Sequence, residues 1–496
     1  MGKNEKNGTA AIASGLGWSF AQRVLPQLVT LLVSIVLARV LTPEHYGTVA
    51  IVAVFIAIGD ALVIGGFGNA LVQKKDATDT DFNSICWVSL SVSVAVYSVL
   101  FLCAPLMARF YDDDILTSVI RVMGMKFVFS AFNSVQIAYV QRNMMFRKNF
   151  ISTLGGTVVS SVVGITMALT GFGVWALVVQ NITNTVIHTV ILFCVIDWKP
   201  KLEISRKSVK TLWNYGAKVL GATLVYTLRD NIRTLLVGKR FSTEDLAYYN
   251  QGQKYPALLM CDIVSATETV LFPVLSKNQT QTKKLKELMR NAIRIGSYIL
   301  TPIMVGFLAV SHTFVEVVLT EKWLQCVPFM QIMCFVYMPR CVSSTLQKGL
   351  LAIGKSNLNL IHEVITSSTT VILLLVAVFM MDSVLMIAIS QVLVMFLDVM
   401  IYAIWSRKYI KYGYKELLSD YLPSVLLSAF MAIVAILAGM LPVNGFVKLV
   451  LQVLSGIAAY VGASVVTKNA TFQWLKHYLV KLLHRKKQQP AGEKGE

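Results

Sequence analysis

Charge is what this chain lacks most. Only 14% of its 496 residues are Asp, Glu, Lys or Arg, against about 25% in soluble domains. With 55% hydrophobic residues and a mean hydropathy of +0.64, that scarcity excludes a soluble globular protein and predicts a polytopic membrane protein. Acidic residues are the scarcer sign, 26 against 45 basic ones. Seven cysteines and six histidines are also few. No C-x-x-C occurs, and Cys and His do not cluster, so a disulfide framework and a metal site are both excluded, and no cofactor is implied. No polar stretch between apolar runs is long enough for an independent soluble domain. The net charge of +19 therefore has no nucleic-acid-binding domain to belong to.

What is there is a succession of apolar runs. The predicted spans are 15–38, 46–67, 83–108, 115–139, 150–170, 174–197 and 213–237, then 248–275, 293–316, 325–351, 358–381, 384–405, 420–441 and 446–467. The fold class expected is all-α integral membrane with about 14 transmembrane helices. The first run, reaching Val40, is too long for a signal-peptide core and reads as a retained span. Alternate connections collect about thirty Lys and Arg on one side and about seven on the other. That bias places both termini in the cytoplasm, with a basic tail over 471–496.

Within the spans lie charges that a bilayer disfavours by roughly 2.5–3.5 kcal/mol each on insertion scales. Trp213–Gly238 carries Lys218, Arg229, Asp230 and Arg233. Arg229 and Arg233 are one turn apart and share a helix face, and Asp230 neutralises at most one of them. Arg23, Lys126 and Arg340 add further embedded cations, and Pro339 sets a kink directly before Arg340. Arg121, Lys218 and Arg294 lie near span ends, where long side chains snorkel to the interface. The candidate substrate-binding residues are Arg23, Lys126, Arg229, Arg233 and Arg340. Asp230 and Glu268 are candidates for ion coupling or pairing, Glu268 with Arg229 for instance. No catalytic residue is expected. A surplus of embedded cations fits an anionic ligand.

Gly349–Ser356 satisfies G-x-x-x-x-G-K-S, the phosphate-cradling loop of nucleotide-binding domains. That loop needs a strand before it and a soluble sheet around it. Here it falls where an apolar span meets a short turn, so Gly354 and Lys355 are expected only to end a helix.

Four stretches carry a resemblance. LARVLTPEHYGTVAI (Leu37–Ile51), the run Gly59–Ser84, LAYYNQGQKYP (Leu246–Pro256) and VLFPVLSKNQ (Val270–Gln279) resemble, in order, signatures of bacterial polysaccharide flippases. These belong to the multidrug/oligosaccharidyl-lipid/polysaccharide exporter superfamily. The resemblance covers nearly the whole chain. It departs at Ala247, where relatives often carry Gly, and at Arg233, where an acidic or neutral residue is expected.

The resemblance implies two six-helix lobes (1–200 and 201–410) around a central cavity, and two further spans (411–470). It implies transport of an undecaprenyl-diphosphate-linked oligosaccharide across the bacterial inner membrane. Polysaccharide polymerase and chain-length proteins are the implied partners, with no nucleic acid. A lipid-linked peptidoglycan precursor flippase, a drug/cation antiporter and a membrane glycan polymerase or ligase are the alternatives. The antiporter calls for deep acidic residues, whereas the deepest charges here are largely basic; the polymerase calls for a large outer loop, and every predicted outer loop here is short.

Overall fold

The computed structural model describes residues 25–477, and Arg23 and most of the basic tail lie outside them. Every regular element among the described residues is helical. The chain divides into two compact units, one ending at Ala247 and the other beginning at Tyr248.

The first unit holds α1 (Leu25–Val40), α2 (Pro43–Ile64), α3 (Phe67–Gln73), α4 (Asp79–Tyr111), α5 (Ile115–Gly124) and α6 (Lys126–Arg142). It continues with α7 (Phe146–Leu169), α8 (Val174–Val195) and α9 (Arg206–Arg240). The boundary falls inside α10 (Thr243–Lys277). The second unit then contains α11 (Thr282–Phe314), a π turn over Val315–Leu319, and a 3-10 segment over Glu321–Cys326. After these come α12 (Val327–Tyr337), α13 (Arg340–Ala352), α14 (Ser356–Phe379), α15 (Val384–Tyr409), α16 (Tyr414–Gly439) and α17 (Gly445–Val466).

Twelve helices among the described residues are long and apolar enough to cross a membrane. They coincide with twelve of the predicted spans. Of the other two, 15–38 is described only from Leu25, and 213–237 lies within α9, whose charges keep it out of the twelve. Counting spans puts α9 first in the second set of six. Its packing is against α2, α3 and α4 of the first unit. The chain is a multi-pass membrane protein, and large apolar side chains such as Leu102, Val162, Leu169, Phe379 and Leu426 stand exposed on its surface, as a lipid-facing exterior requires.

Local chemistry explains the helix starts. Pro43 stands in the first turn of α2, where its missing N–H costs nothing, and His45 Nδ1 lies 3.0 Å from the Thr42 hydroxyl. Ser242 and Asp245 repeat that arrangement at α10: the Asp245 amide donates to the Ser242 hydroxyl (3.0 Å), which donates to the carboxylate (2.8 Å). Gly47, in the same PEHYG stretch, allows close backbone approach, since a Cβ there falls 1.9 Å from the Thr243 carbonyl oxygen.

Small and polar residues join the remaining helices, as expected where lipid removes the hydrophobic drive between them. The α7–α8 seam carries Ser152, Gly156, Ser160 and Gly164, with Asn184 donating to Ser160 at 3.3 Å. In the second unit α11 packs on α16 and α13, α14 on α15, and α16 on α17.

Candidate functional site

The embedded charges resolve into groups, each held by a local feature of its helix. In the first unit α5 passes to α6 through Met125, whose amide bonds the Val122 carbonyl. Lys126 opens α6, and its ammonium lies 2.9 Å from Asp60 Oδ2 of α2. Both side chains are mostly buried, at 14% and 23% exposure, so the two charges largely cancel at membrane depth. Asp60 Oδ1 is buried and accepts no hydrogen bond among the described residues.

On α9, capped by the Ser205 hydroxyl accepting from the Ser208 amide, the Arg229 guanidinium sits 5.5 Å over the Tyr226 ring. Arg233 follows one turn on and is half-buried. Asp230 is exposed and, next in sequence to Arg229, projects to a different helix face from it. α9 also supports a break. α2 ends at Ile64 with Gly65 as its cap, and α3 starts at Phe67. The Thr223 hydroxyl lies 3.4 Å from the Gly65 carbonyl left over there.

The second unit assembles the densest group. α12 ends at Tyr337 and α13 begins at Arg340, with Pro339 at the joint, so the expected kink is a full break in the helix. Arg340 stands at the first position of α13, half exposed, its Nη1 3.6 Å from Asp398 Oδ2 of α15. The other oxygen, Oδ1, lies 2.8 Å from His362 Nε2 of α14, without the alignment of a hydrogen bond. The His362 ring stacks on Tyr402 at 4.0 Å between centroids. Tyr402 donates to Asn359 Oδ1 (2.9 Å), which also accepts from Gln347 Nε2 (2.6 Å).

Glu268 of α10 has Lys348 of α13 as its partner, at 3.1 Å. Arg294, expected to snorkel, instead binds Asp420 of α16 at 2.6 Å, and Arg290 binds the same carboxylate at 2.7 Å. The Asp420 side chain is fully buried and also accepts from the Tyr412 hydroxyl at 2.8 Å. Burial, and then the hydrogen bond to that carboxylate, hold the Tyr412 phenol above its ordinary range. Arg121, near a span end, lies 4.2 Å over the Phe101 ring.

The model of a family described as polysaccharide biosynthesis protein matches residues 36–328. The chain belongs to that family. This polysaccharide biosynthesis protein is 23% identical over 356 residues to the teichuronic acid biosynthesis protein TuaB of Bacillus subtilis, covering 71% of this chain and 73% of TuaB. It is 24% identical to the lipopolysaccharide biosynthesis protein WzxC of Escherichia coli, over 68% of this chain and 69% of WzxC. Its fold is that of the lipid II flippase MurJ in an inward closed conformation, with a TM-score of 0.75 over 92% of this chain and 99% of the other, at 14% identity.

In this polysaccharide biosynthesis protein, Gly349–Ala352 is the last turn of α13, Gly354 adopts φ +77°, and α14 starts at Ser356. The Lys355 amide caps the Leu350 carbonyl, while its ammonium lies 5.2 Å over the Tyr409 ring rather than on the terminal carbonyls. His362 escaped the sequence reading because a neutral imidazole is not counted among charges. The signal that finds it is its place in an apolar span, facing another span that carries Asp398.

Proposed function

We propose that this protein is a flippase that moves an undecaprenyl-diphosphate-linked oligosaccharide from the cytoplasmic to the outer leaflet by alternating access, embedded Arg and Lys holding the diphosphate. The observation that carries the reading is Arg340. Its guanidinium stands half exposed at a proline break inside a membrane-length helix, and its nearest acid is 3.6 Å away. A tight charge-assisted pair is about 2.7–2.9 Å. The longer contact leaves the planar fork able to take a phosphate, whose geometry it matches. Arg229 and Arg233 on α9 add a second cationic element. Lys126 takes part only where the anion displaces Asp60.

Family membership and the glycan-biosynthesis names of TuaB and WzxC support the substrate class. Recurring helix lengths support two similarly built lobes: 33 residues in both α4 and α11, and 24 in both α7 and α14. The loop-charge bias supports cytoplasmic termini. Polymerase and chain-length proteins are the expected neighbours, and Gly349–Ser356 binds no nucleotide. The test is complementation of a cell lacking its own polysaccharide flippase. Wild type is expected to restore surface glycan, and Arg340→Ala to fail at equal membrane abundance. Full export by Arg340→Ala contradicts the reading.

A further inference from the structure

We propose that Asp398 and His362 form a proton-binding site linked to anion capture at Arg340. The inference rests on the diphosphate reading above and adds to it the ion that moves when the anion binds.

Asp398 is shared. Its Oδ2 faces Arg340, which is half exposed, and its Oδ1 faces His362, which is 4% exposed. Both ring nitrogens of His362 lack hydrogen-bond partners among the described residues. A buried imidazole left unsatisfied beside a carboxylate is a costly arrangement. The other groups facing it are already engaged or lie to the side. Tyr402 of α15 stacks on the ring and gives its hydroxyl to Asn359. Lys348 of α13 is held by Glu268 of α10. Glu363, the next residue on α14, has its own partner and lies within electrostatic reach of Tyr402.

The charge count then makes the link. With Arg340 beside it, the charge of the Asp398 carboxylate is balanced. When an anion draws Arg340 away, one buried negative charge is left beside the imidazole. One proton from solvent restores the balance, held between the imidazole nitrogen and the carboxylate. Releasing the anion returns Arg340 to Asp398 and expels the proton. Linkage is reciprocal: anion binding favours proton uptake, so lower pH favours anion binding. The sign is fixed by the bound state holding more protons.

The chain carries its own control. Phe146 and Ser356, and Val174 and Val384, begin corresponding helices at one constant offset. At that offset Asp398 takes the place of His188, and His362 that of Ser152. His188 meets neutral partners only, Asn133 at 3.3 Å and Thr153 at 3.5 Å. His188 is half-buried, and among the described residues no carboxylate pairs with it, whereas His362 has Asp398 beside it.

The test uses the full chain in nanodiscs and, as the probe, a farnesyl-diphosphate-linked sugar, a diphosphate diester whose own charge does not change near pH 7. Calorimetry near pH 7 in two buffers of different ionisation enthalpy counts the protons taken up per diphosphate bound. Wild type is expected to take up close to one, and its affinity to weaken by up to about tenfold per unit rise in pH. His362→Gln and Asp398→Asn are expected to take up none and to show a flat profile. Binding by wild type without proton uptake overturns the inference and leaves the anion site standing; this measurement needs no variant to fold. Uptake persisting in both variants overturns it as well. Absence of binding by wild type overturns the diphosphate reading and this inference with it.

Discussion

A Cβ placed on Gly66 meets the carbonyl oxygen of Gly216 at 2.1 Å, so the α2–α3 break and helix α9 touch backbone to backbone. Only glycine permits that approach. Gly66→Ala is expected to push α9 away from the break and to cost about 1–3 kcal/mol. Membrane abundance and detergent melting temperature check it, and a variant as stable as wild type contradicts the packing.

The Lys126–Asp60 pair predicts a mutant cycle. Lys126→Met alone strands a mostly buried carboxylate and is expected to destabilise by about 3–5 kcal/mol. Combining it with Asp60→Asn removes the second charge and is expected to recover most of that loss. Melting temperatures of the two single variants and the double variant measure the coupling.

Asp420 holds Arg290, Arg294 and Tyr412 together where α11 meets α16. Asp420→Asn is expected to cost about 3 kcal/mol, the low end for a broken buried pair because both arginines are partly exposed. Tyr412→Phe removes one hydrogen bond and is expected to cost about 1 kcal/mol. Thermal unfolding in detergent orders the two, and equal effects contradict the hub.

Lys355→Ala is expected to leave glycan export unchanged, because the Lys355 ammonium rests on the Tyr409 ring at a helix turn. Export by the variant and ATP binding by wild type are the readouts. Loss of export together with nucleotide binding contradicts this.

The all-helical membrane class was legible because bilayer thickness leaves so plain a mark on composition: Val174–Val195 and Gly445–Val466 match their predicted spans almost residue for residue. The break at Pro339 was legible because proline announced it. Pro105 and Pro302 carry the same signal and yet lie inside continuous helices. Individual charges were visible, but partner choice was not. Pairing of Lys348 with Glu268, or of Arg294 with Asp420, depends on which helices adjoin, and sequence spacing says nothing of that. A resemblance in four stretches located the family; the geometry beside Asp398 came only from tertiary packing.

The most direct measurement is flipping itself. Proteoliposomes holding the purified chain and a fluorescent polyprenyl-diphosphate-linked sugar report, through an impermeant quencher, how fast label crosses the bilayer. Losing a charge-assisted partner typically costs about 1.5–3 kcal/mol, or roughly ten- to a hundredfold in affinity. Arg340→Ala is therefore expected to slow flipping by that order at limiting substrate, with Arg340→Lys between it and wild type because lysine keeps the charge without the fork. Flipping by Arg340→Ala at the wild-type rate, in liposomes of equal protein content, contradicts the account.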